Sequence, residues 1–423
     1  MEESSPPHIV IVGGGIGGLT AARDLAVGGA RVTLLEASAV LGGKVARHTV
    51  AGVQLDAGAE SFATRRDLVR SFADGLGLGD DIAQPNPAGA WLQRAEGGAV
   101  PLPKAGLLGI PSTPLAADVI AVIGLRAALR AQLDSLLAYR GSKERSLGGL
   151  VRARMGSAVL DQLVAPVTLG VHSRHPDELE VDVVAPGLRS ALLSTVSLAQ
   201  AVQKLRAAAP AGSAVAGIDG GIFRIVEALT ARLERLGVEV RTGTRAAAIE
   251  SDRVTLDGGE VIEADRIVLA CNPEESAPGI VLATLVVREP RLDAAPRGTG
   301  LLVAPGTHGI RAKALTHATA KWPWLAERVE AGTHVLRLSY DAASMPSDLR
   351  EQAIADAASL LGVHLAPEHI LGFDRVLWTK PATRCAAPSG VTVIGESVAG
   401  AGLAAVIGQA RRESGSLLTD LAQ

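Results

Sequence analysis

A cluster of glycines near the start of the chain constrains its fold more than any other feature. His8-Ile9-Val10-Ile11-Val12 is a short, mostly aliphatic run; Gly13-Gly14-Gly15-Ile16-Gly17-Gly18 follows, and Leu19 to Ala26 is patterned as a helix. The order is strand, tight turn, helix, and Gly13, Gly15 and Gly18 fall on the G-x-G-x-x-G spacing. In such a turn the first glycine permits the bend, the second lets a pyrophosphate reach the backbone, and the third lets helix and strand pack closely. The free N–H groups and positive dipole end of the helix then face the phosphates. Glycine-rich turns are common, so context decides. Val32-Thr33-Leu34-Leu35 is a second aliphatic run that ends at Glu36 and Ala37, about twenty residues on, where an acid meets the ribose hydroxyls. The stretch reads as a dinucleotide site.

A chain of 423 residues is too long for a single core and suits two or three domains. Its net charge of -3 gives no electrostatic case for nucleic acid. The two cysteines, Cys271 and Cys385, make neither a disulfide framework nor a zinc site, so no metal is expected and a reducing cytoplasmic compartment is the simplest inference. Acids at Glu2 and Glu3 and prolines at Pro6 and Pro7 lead straight into the first strand, which fits no signal peptide. The most apolar helix candidate, Leu115 to Tyr139, carries Asp118, Arg126, Arg130 and Asp134, too many charges for a membrane span. Its face could rest on a membrane surface or on another domain; burial in a core is the favoured reading.

Further along, Leu41-Gly42-Gly43-Lys44 is a second glycine pair, and Val53 to Ser61 reads as a strand ending in the small-residue turn Gly58-Ala59-Glu60-Ser61. Small residues there let the backbone pass close to a flat cofactor, although ordinary hairpin turns would look the same. Arg65 to Leu78 is helical in pattern, Gln84 to Pro114 reads as hairpin and linker, and Leu115 to about Leu205 is a helical region that Ala165-Pro166-Val167-Thr168-Leu169-Gly170 interrupts. Near Gly217 α/β signals return. Strands are expected at Val238 to Arg241, Thr244 to Ile249, Arg253 to Leu256 and Asp265 to Ala270, an antiparallel sheet within Val281 to Tyr340, and a helix at Ser347 to Leu361. Val391 to Glu396 is a last strand ending in Gly395 and Glu396, and Gly400-Ala401-Gly402-Leu403 opens a final helix. A C-terminal capping helix is the alternative there. In a flavin-binding fold its N-terminus would face the electron-rich edge of the isoalloxazine.

Joined, the fingerprint with Glu36, the glycine pair, Asp56-Ala57-Gly58-Ala59-Glu60-Ser61 and the closing Gly395-Glu396 helix resemble the amine-oxidase-like FAD superfamily. Asp56 to Arg66, Arg145 to Gly148, Ala165 to Leu179, Asp219 to Leu229 and Lys321-Trp322-Pro323 narrow the resemblance to the oxygen-dependent protoporphyrinogen/coproporphyrinogen III oxidases. The resemblance implies an α/β fold: a discontinuous Rossmann-type FAD-binding domain with an α+β substrate domain and a helical insert. Together with the element pattern it places the FAD domain at 1–85, 215–275 and 376–423, the substrate domain at 86–114 and 276–375, and the helical domain at 115–214. The implied reaction is porphyrinogen oxidation in haem biosynthesis, in two-electron steps through FAD to oxygen, with hydrogen peroxide as by-product. Coproporphyrinogen III is preferred as substrate and protoporphyrinogen IX comes next.

By the same resemblance Gly13 to Gly18 would hold the pyrophosphate and Glu36 the ribose, with Ala37 beside it. Gly43, Lys44 and Gly58 to Ser61 would line the flavin, as would Gly395 and Glu396. Ala246 would meet the adenine by its backbone, while Trp378 and Ala401, Gly402 and Leu403 would lie near the ring. Hydride passes from a substrate carbon to flavin N5, so positioning and cofactor electronics carry the chemistry. No protein base is assigned; Lys321 is a candidate beside N5, with a surface lysine next to packed Trp322 as the alternative. Gly170 and His172 are candidates for the substrate pocket wall. One departure matters. Relatives usually carry a Pro-Gln-Tyr…Gly-His segment after the counterpart of Trp378, whereas here Thr379 to Cys385 runs almost directly into the last strand, and the final helix carries Gln409 where another residue is usual. FAD binding should survive that loss better than turnover. Two other readings compete: a related flavoenzyme acting on an amine or polyene, and a degenerate protein that binds FAD or porphyrin without oxidising it.

Overall fold

The computed structural model describes residues 5–64, 67–137, 141, 143–172, 174–208, 215–271, 277–380 and 387–421. The chain divides into two units: Met1–Pro85 with Ser213–Gly279 and Trp378–Gln423, and Asn86–Gly212 with Ile280–Leu377.

The first unit is built on a five-stranded parallel sheet in the order Glu239–Arg241, Arg31–Leu35, His8–Val12, Arg266–Leu269, Thr392–Val393. Its period-two alternation sorts side chains to two covered faces. Ile9, Ile11, Val32, Leu34 and Val268 join a cluster with the helices Ile16–Val27, Arg224–Arg235 and Leu403–Leu421. Val10, Val12, Leu35, Ile267 and Leu269 pack instead on Val254 and Leu256 of a small antiparallel sheet. Burial on both faces explains why these strands read as continuous aliphatic runs. Each fully buried Leu or Ile contributes roughly 1.5–3 kcal/mol. Helix Arg224–Arg235 shows the expected single stripe, with Ile225, Val226, Leu229 and Leu233 buried, Glu227 in its first turn and Arg232 and Arg235 in its last. The direction of strand succession reverses between His8–Val12 and Arg266–Leu269, and in doubly wound folds ligands bind beyond the strand ends at that reversal.

The second unit carries a seven-stranded sheet in the order Ile370–Lys380, Ala277–Arg288, Thr333–Asp341, Ala314–His317, Gly300–Val303, Trp91–Gln93, Ala99–Pro101. Gly300–Val303 pairs with Trp91–Gln93 in parallel, an exception to the expected antiparallel pattern. On one face Leu301, Leu315, Leu336, Leu338 and Tyr340 pack against helix Leu349–Leu361. On the other side Leu302 contacts a cluster drawn from the helical segment.

Two details differ from expectation within that segment. The proline at position 166 does not interrupt a helix. A π-turn at Leu160–Val164, where Ala165 N donates to Leu160 O, runs directly into helix Ala165–His172, and this wider turn accommodates Pro166, which has no N–H to donate. Conversely, the candidate at Leu115 to Tyr139, of which 138 and 139 lie outside the described residues, is α-helical over Ala117–Gln132, kinks at Gly124 (φ 76°), and continues as a 3-10 turn at Leu133–Leu136. No helix among the described residues is long and apolar enough to cross a membrane.

Candidate active site

The glycine turn follows the central strand of the first unit. Gly13 has φ 115°, a conformation that disfavours any side chain, and its N–H donates to Leu35 O at 2.7 Å. A Cβ at Gly18 would stand 1.9 Å from Gly13 O and 3.2 Å from Ala270 Cβ, so only glycine lets the helix approach the strand. Gly15 behaves in the opposite way. A Cβ there would meet nothing within 4 Å, and φ is an ordinary -72°. This is open space directly beside the N-terminus of helix Ile16–Val27, which has no side-chain cap and no acid in its first turn. Ile16 and Gly17 are buried, and a Cβ on Gly17 would lie 3.2 Å from Val406 and 3.7 Å from Gly395 Cα.

Glu36 is fastened by three donors: Gly14 N at 2.7 Å to one carboxylate oxygen, and Ser38 N and Oγ at 2.7 Å to the other. Ala37 beside it is exposed. Thr244 N donates to Glu36 O and Gly243 N to Ser38 O, both at 2.8 Å, which brings the strand Ala246–Ile249 to this end of the sheet. The second glycine pair closes over the first. Gly42 N donates to Gly14 O at 2.8 Å, and a Cβ on Gly43 would lie 3.4 Å from Gly15 Cα. Lys44 Nζ then reaches Glu396 Oε2 at 2.5 Å.

Behind this layer Asp56 is buried and accepts from Phe223 N at 2.9 Å, joining the Asp56–Ser61 segment to Asp219–Leu229. A Cβ on Gly58 would stand 2.3 Å from Lys44 O, so the Gly58–Ser61 turn crosses the Lys44 backbone closely; Ala59 is exposed, and Glu60 and Ser61 are half-buried. Trp378 Nε1 donates to Ala57 O at 3.1 Å. Gly395 has φ 107°, and Gln409 clamps it: Gln409 Oε1 accepts from Gly395 N at 2.9 Å while its Nε2 donates to Val393 O at 3.0 Å. A short helix at Glu396–Ala399 intervenes before exposed Ala401 and Gly402 and the half-buried Leu403 that opens the last helix.

The first unit thus gathers Gly13–Gly18, Glu36, Gly43, Lys44, Gly58, Trp378, Gly395 and Glu396. Gly170, His172 and Lys321 belong to the second unit. A Cβ on Gly170 would meet Leu302 at 2.5 Å, so this glycine lets its helix sit on the sheet. The side chain of His172 and residues 381–386 of the shortened segment lie outside the described residues. The Lys321 ammonium lies 5.1 Å from the Trp322 ring centroid, and Lys321 O accepts from Asn86 N. Sequence reasoning missed the clamp by Gln409 and the Asp56–Phe223 link. A polar residue at a position otherwise buried on the last helix was the signal for the former; the latter left none.

The open face at Gly15, the uncapped helix end and the anchored Glu36 fit a dinucleotide: backbone N–H groups for phosphate and a carboxylate for ribose. Fold and site together define a dinucleotide-binding protein of the doubly wound class. A family model of flavin-containing amine oxidoreductases matches residues 16–380. The chain belongs to that family, and FAD is its cofactor. It is 27% identical over 460 residues to a coproporphyrinogen III oxidase of Mycobacterium leprae, covering 98% of both chains. A coproporphyrinogen III oxidase of Propionibacterium freudenreichii is 28% identical over 329 residues, 70% of this chain and 61% of that one. A structure from Exiguobacterium sp. 255-15, assigned as a protoporphyrinogen oxidase, aligns with TM-score 0.80 at 22% identity over 98% of this chain and 99% of that one, so the fold is shared.

Proposed function

We propose that this protein oxidises a porphyrinogen to the porphyrin in haem biosynthesis, taking coproporphyrinogen III in preference to protoporphyrinogen IX, with oxygen as acceptor and hydrogen peroxide as by-product. The observation that carries this reading is the match over 98% of both chains to a coproporphyrinogen III oxidase. FAD supplies two-electron chemistry that no side chain offers. The chain supplies position. In this reading the N–H groups after Gly13 hold the pyrophosphate and Glu36 the ribose. The Ala246 backbone meets the adenine; Lys44, Gly58 to Ser61, Trp378, Glu396 and Ala401 to Leu403 line the ring. The Lys44–Glu396 pair would bring its own countercharge to the cofactor edge. Lys321 remains the candidate on the substrate side.

The test is anaerobic mixing of the FAD-loaded protein with coproporphyrinogen III, then admission of air while porphyrin fluorescence, peroxide and the flavin spectrum are followed. Porphyrin fluorescence, with a flavin that bleaches and recovers, is expected. A yellow protein that bleaches with neither porphyrinogen would overturn the proposal in favour of a degenerate binder, and bleaching by an amine alone would reassign the substrate.

A further inference from the structure

The second unit contains a cleft of about 470 Å³, lined by Gln93 and residues 95–99 of a hairpin together with Arg297, Thr307, His308, Ile310 and Ser359. All of its lining residues belong to the second unit, whereas the flavin-side residues belong to the first. It also lies away from Gly170, which packs on Leu302, because Ser359 belongs to the helix on the opposite face of the sheet.

Arg297 stands out in this cleft. Its guanidinium carbon lies 4.8 Å from the Trp91 ring centroid, so one face of the cation is covered by an indole. Its Nε is buried and has no hydrogen-bond partner. The nearby C-cap of helix Leu349–Leu361 explains how a cation is tolerated here: a Cβ on Gly362 would lie 3.7 Å from an Arg297 terminal nitrogen, at a helix end that carries partial negative charge. That field supports the charge but uses no donor geometry. A stacked guanidinium is held in one plane and offers its edge as a two-pronged donor, the arrangement that recognises a carboxylate. Gln93, His308 and Ser359 line the same space and add polar groups. Gly97 and Gly98 at the hairpin tip have φ 98° and 74°, and a Cβ on Gly97 would meet nothing within 4 Å, which leaves the cleft open at that residue. Exposed Glu96 offsets one of the two cations at this hairpin, Arg297 and Arg94, whose terminal nitrogen lies 3.3 Å from where a Cβ on Gly98 would stand, and the remaining single positive charge suits a ligand with one carboxylate.

We propose that this cleft is a second ligand site, binding a small molecule through a single carboxylate paired with Arg297. The volume falls within the range of small-molecule pockets and is far larger than one carboxylate requires, so the rest of the ligand also finds room.

The experiment is calorimetric titration of the full-length, FAD-loaded protein with benzoate, its neutral counterpart benzamide, and inorganic phosphate. Benzoate should bind, benzamide should not, and R297Q should weaken benzoate at least tenfold while its flavin spectrum and melting curve stay unchanged. E96Q should tighten benzoate severalfold and narrow the gap to phosphate. The proposal is overturned if benzoate heats are absent, if R297Q binds as the parent does, or if phosphate binds the parent more tightly than benzoate. If R297Q unfolds, R297K keeps the charge but loses the fork, and unchanged benzoate affinity in that variant also overturns it.

Discussion

The first unit sets two acids, Glu36 and Asp56, at strand ends, where they hold backbone; the second unit buries an acid together with a guanidinium. Glu36 follows Leu35 and fastens Gly14, and Asp56 ends its strand and fastens Phe223. In the helical segment Arg154 is fully buried beside Asp134 at 2.5 Å. Arg154 also donates to Leu137 O at 2.6 Å and Val196 O at 2.8 Å, while Asp134 accepts from Ala199 N. On the other face of the sheet Asp356, also fully buried, accepts from Ala312 N, Tyr340 Oη and Gln352 Nε2. The difference is one of means. The nucleotide unit makes its site by leaving side chains out, and the second unit fixes its segments by putting charged side chains in.

The sharpest way to break this contrast is to orphan one buried charge. Asp134→Ala should lower stability by about 3–5 kcal/mol, read from the urea midpoint, because a desolvated guanidinium remains. Replacing both partners with apolar residues should recover most of that loss. Next comes Gly18→Ala, which should cost about 2–3 kcal/mol and release FAD, because its Cβ would collide with Gly13 O. A variant as stable as the parent would mean that the helix can slide.

A smaller effect follows from the buried pair His317 and His334, whose Nε2 and Nδ1 lie 3.0 Å apart. Burial, followed by the neighbouring His334, pushes His317 down to about 3. It is neutral when folded and protonated when unfolded below about 6.5, so the unfolded state binds the extra proton and stability falls as pH drops from 6.5 towards 3. Denaturation at pH 5 should therefore give about 2 kcal/mol less stability than at pH 7, and His317→Gln should flatten that slope. The smallest change in stability belongs to Gly15→Ala. With open space and ordinary φ it should stay within about 0.5 kcal/mol of the parent, yet flavin retention should fall at least tenfold by absorbance. A Gly15→Ala protein that keeps its FAD would deny the pyrophosphate its place at this residue.

The α/β class was legible because local pattern carries it. Ile9 and Ile11 against Val10 and Val12 divide between two cores, and a strand buried on both sides must be aliphatic throughout. The glycine turn was legible for the same reason, since close approach leaves no alternative residue at Gly18. Partners distant in sequence were less so. Nothing near Arg31–Leu35 announces that Glu239–Arg241 will lie beside it, and a glutamine at position 409 gives no sign of the two backbone groups it will join. The proline at 166 misled because a π-turn, invisible to a 3.6-residue pattern, makes room for it.

The sheet of the first unit takes its last strand from Thr392–Val393, and its first helix is covered by Leu403–Leu421. A ribosome that has already released the glycine turn and every residue of the second unit therefore still withholds the pieces that close this sheet. Throughout synthesis the Arg266–Leu269 edge waits without its neighbour, and the apolar side of Ile16–Val27 waits without its cover. Cofactor capture becomes a late step in the history of the nascent chain: a chain stopped before Thr392 keeps every residue of the second unit and lacks both the strand and the helix that close the nucleotide unit.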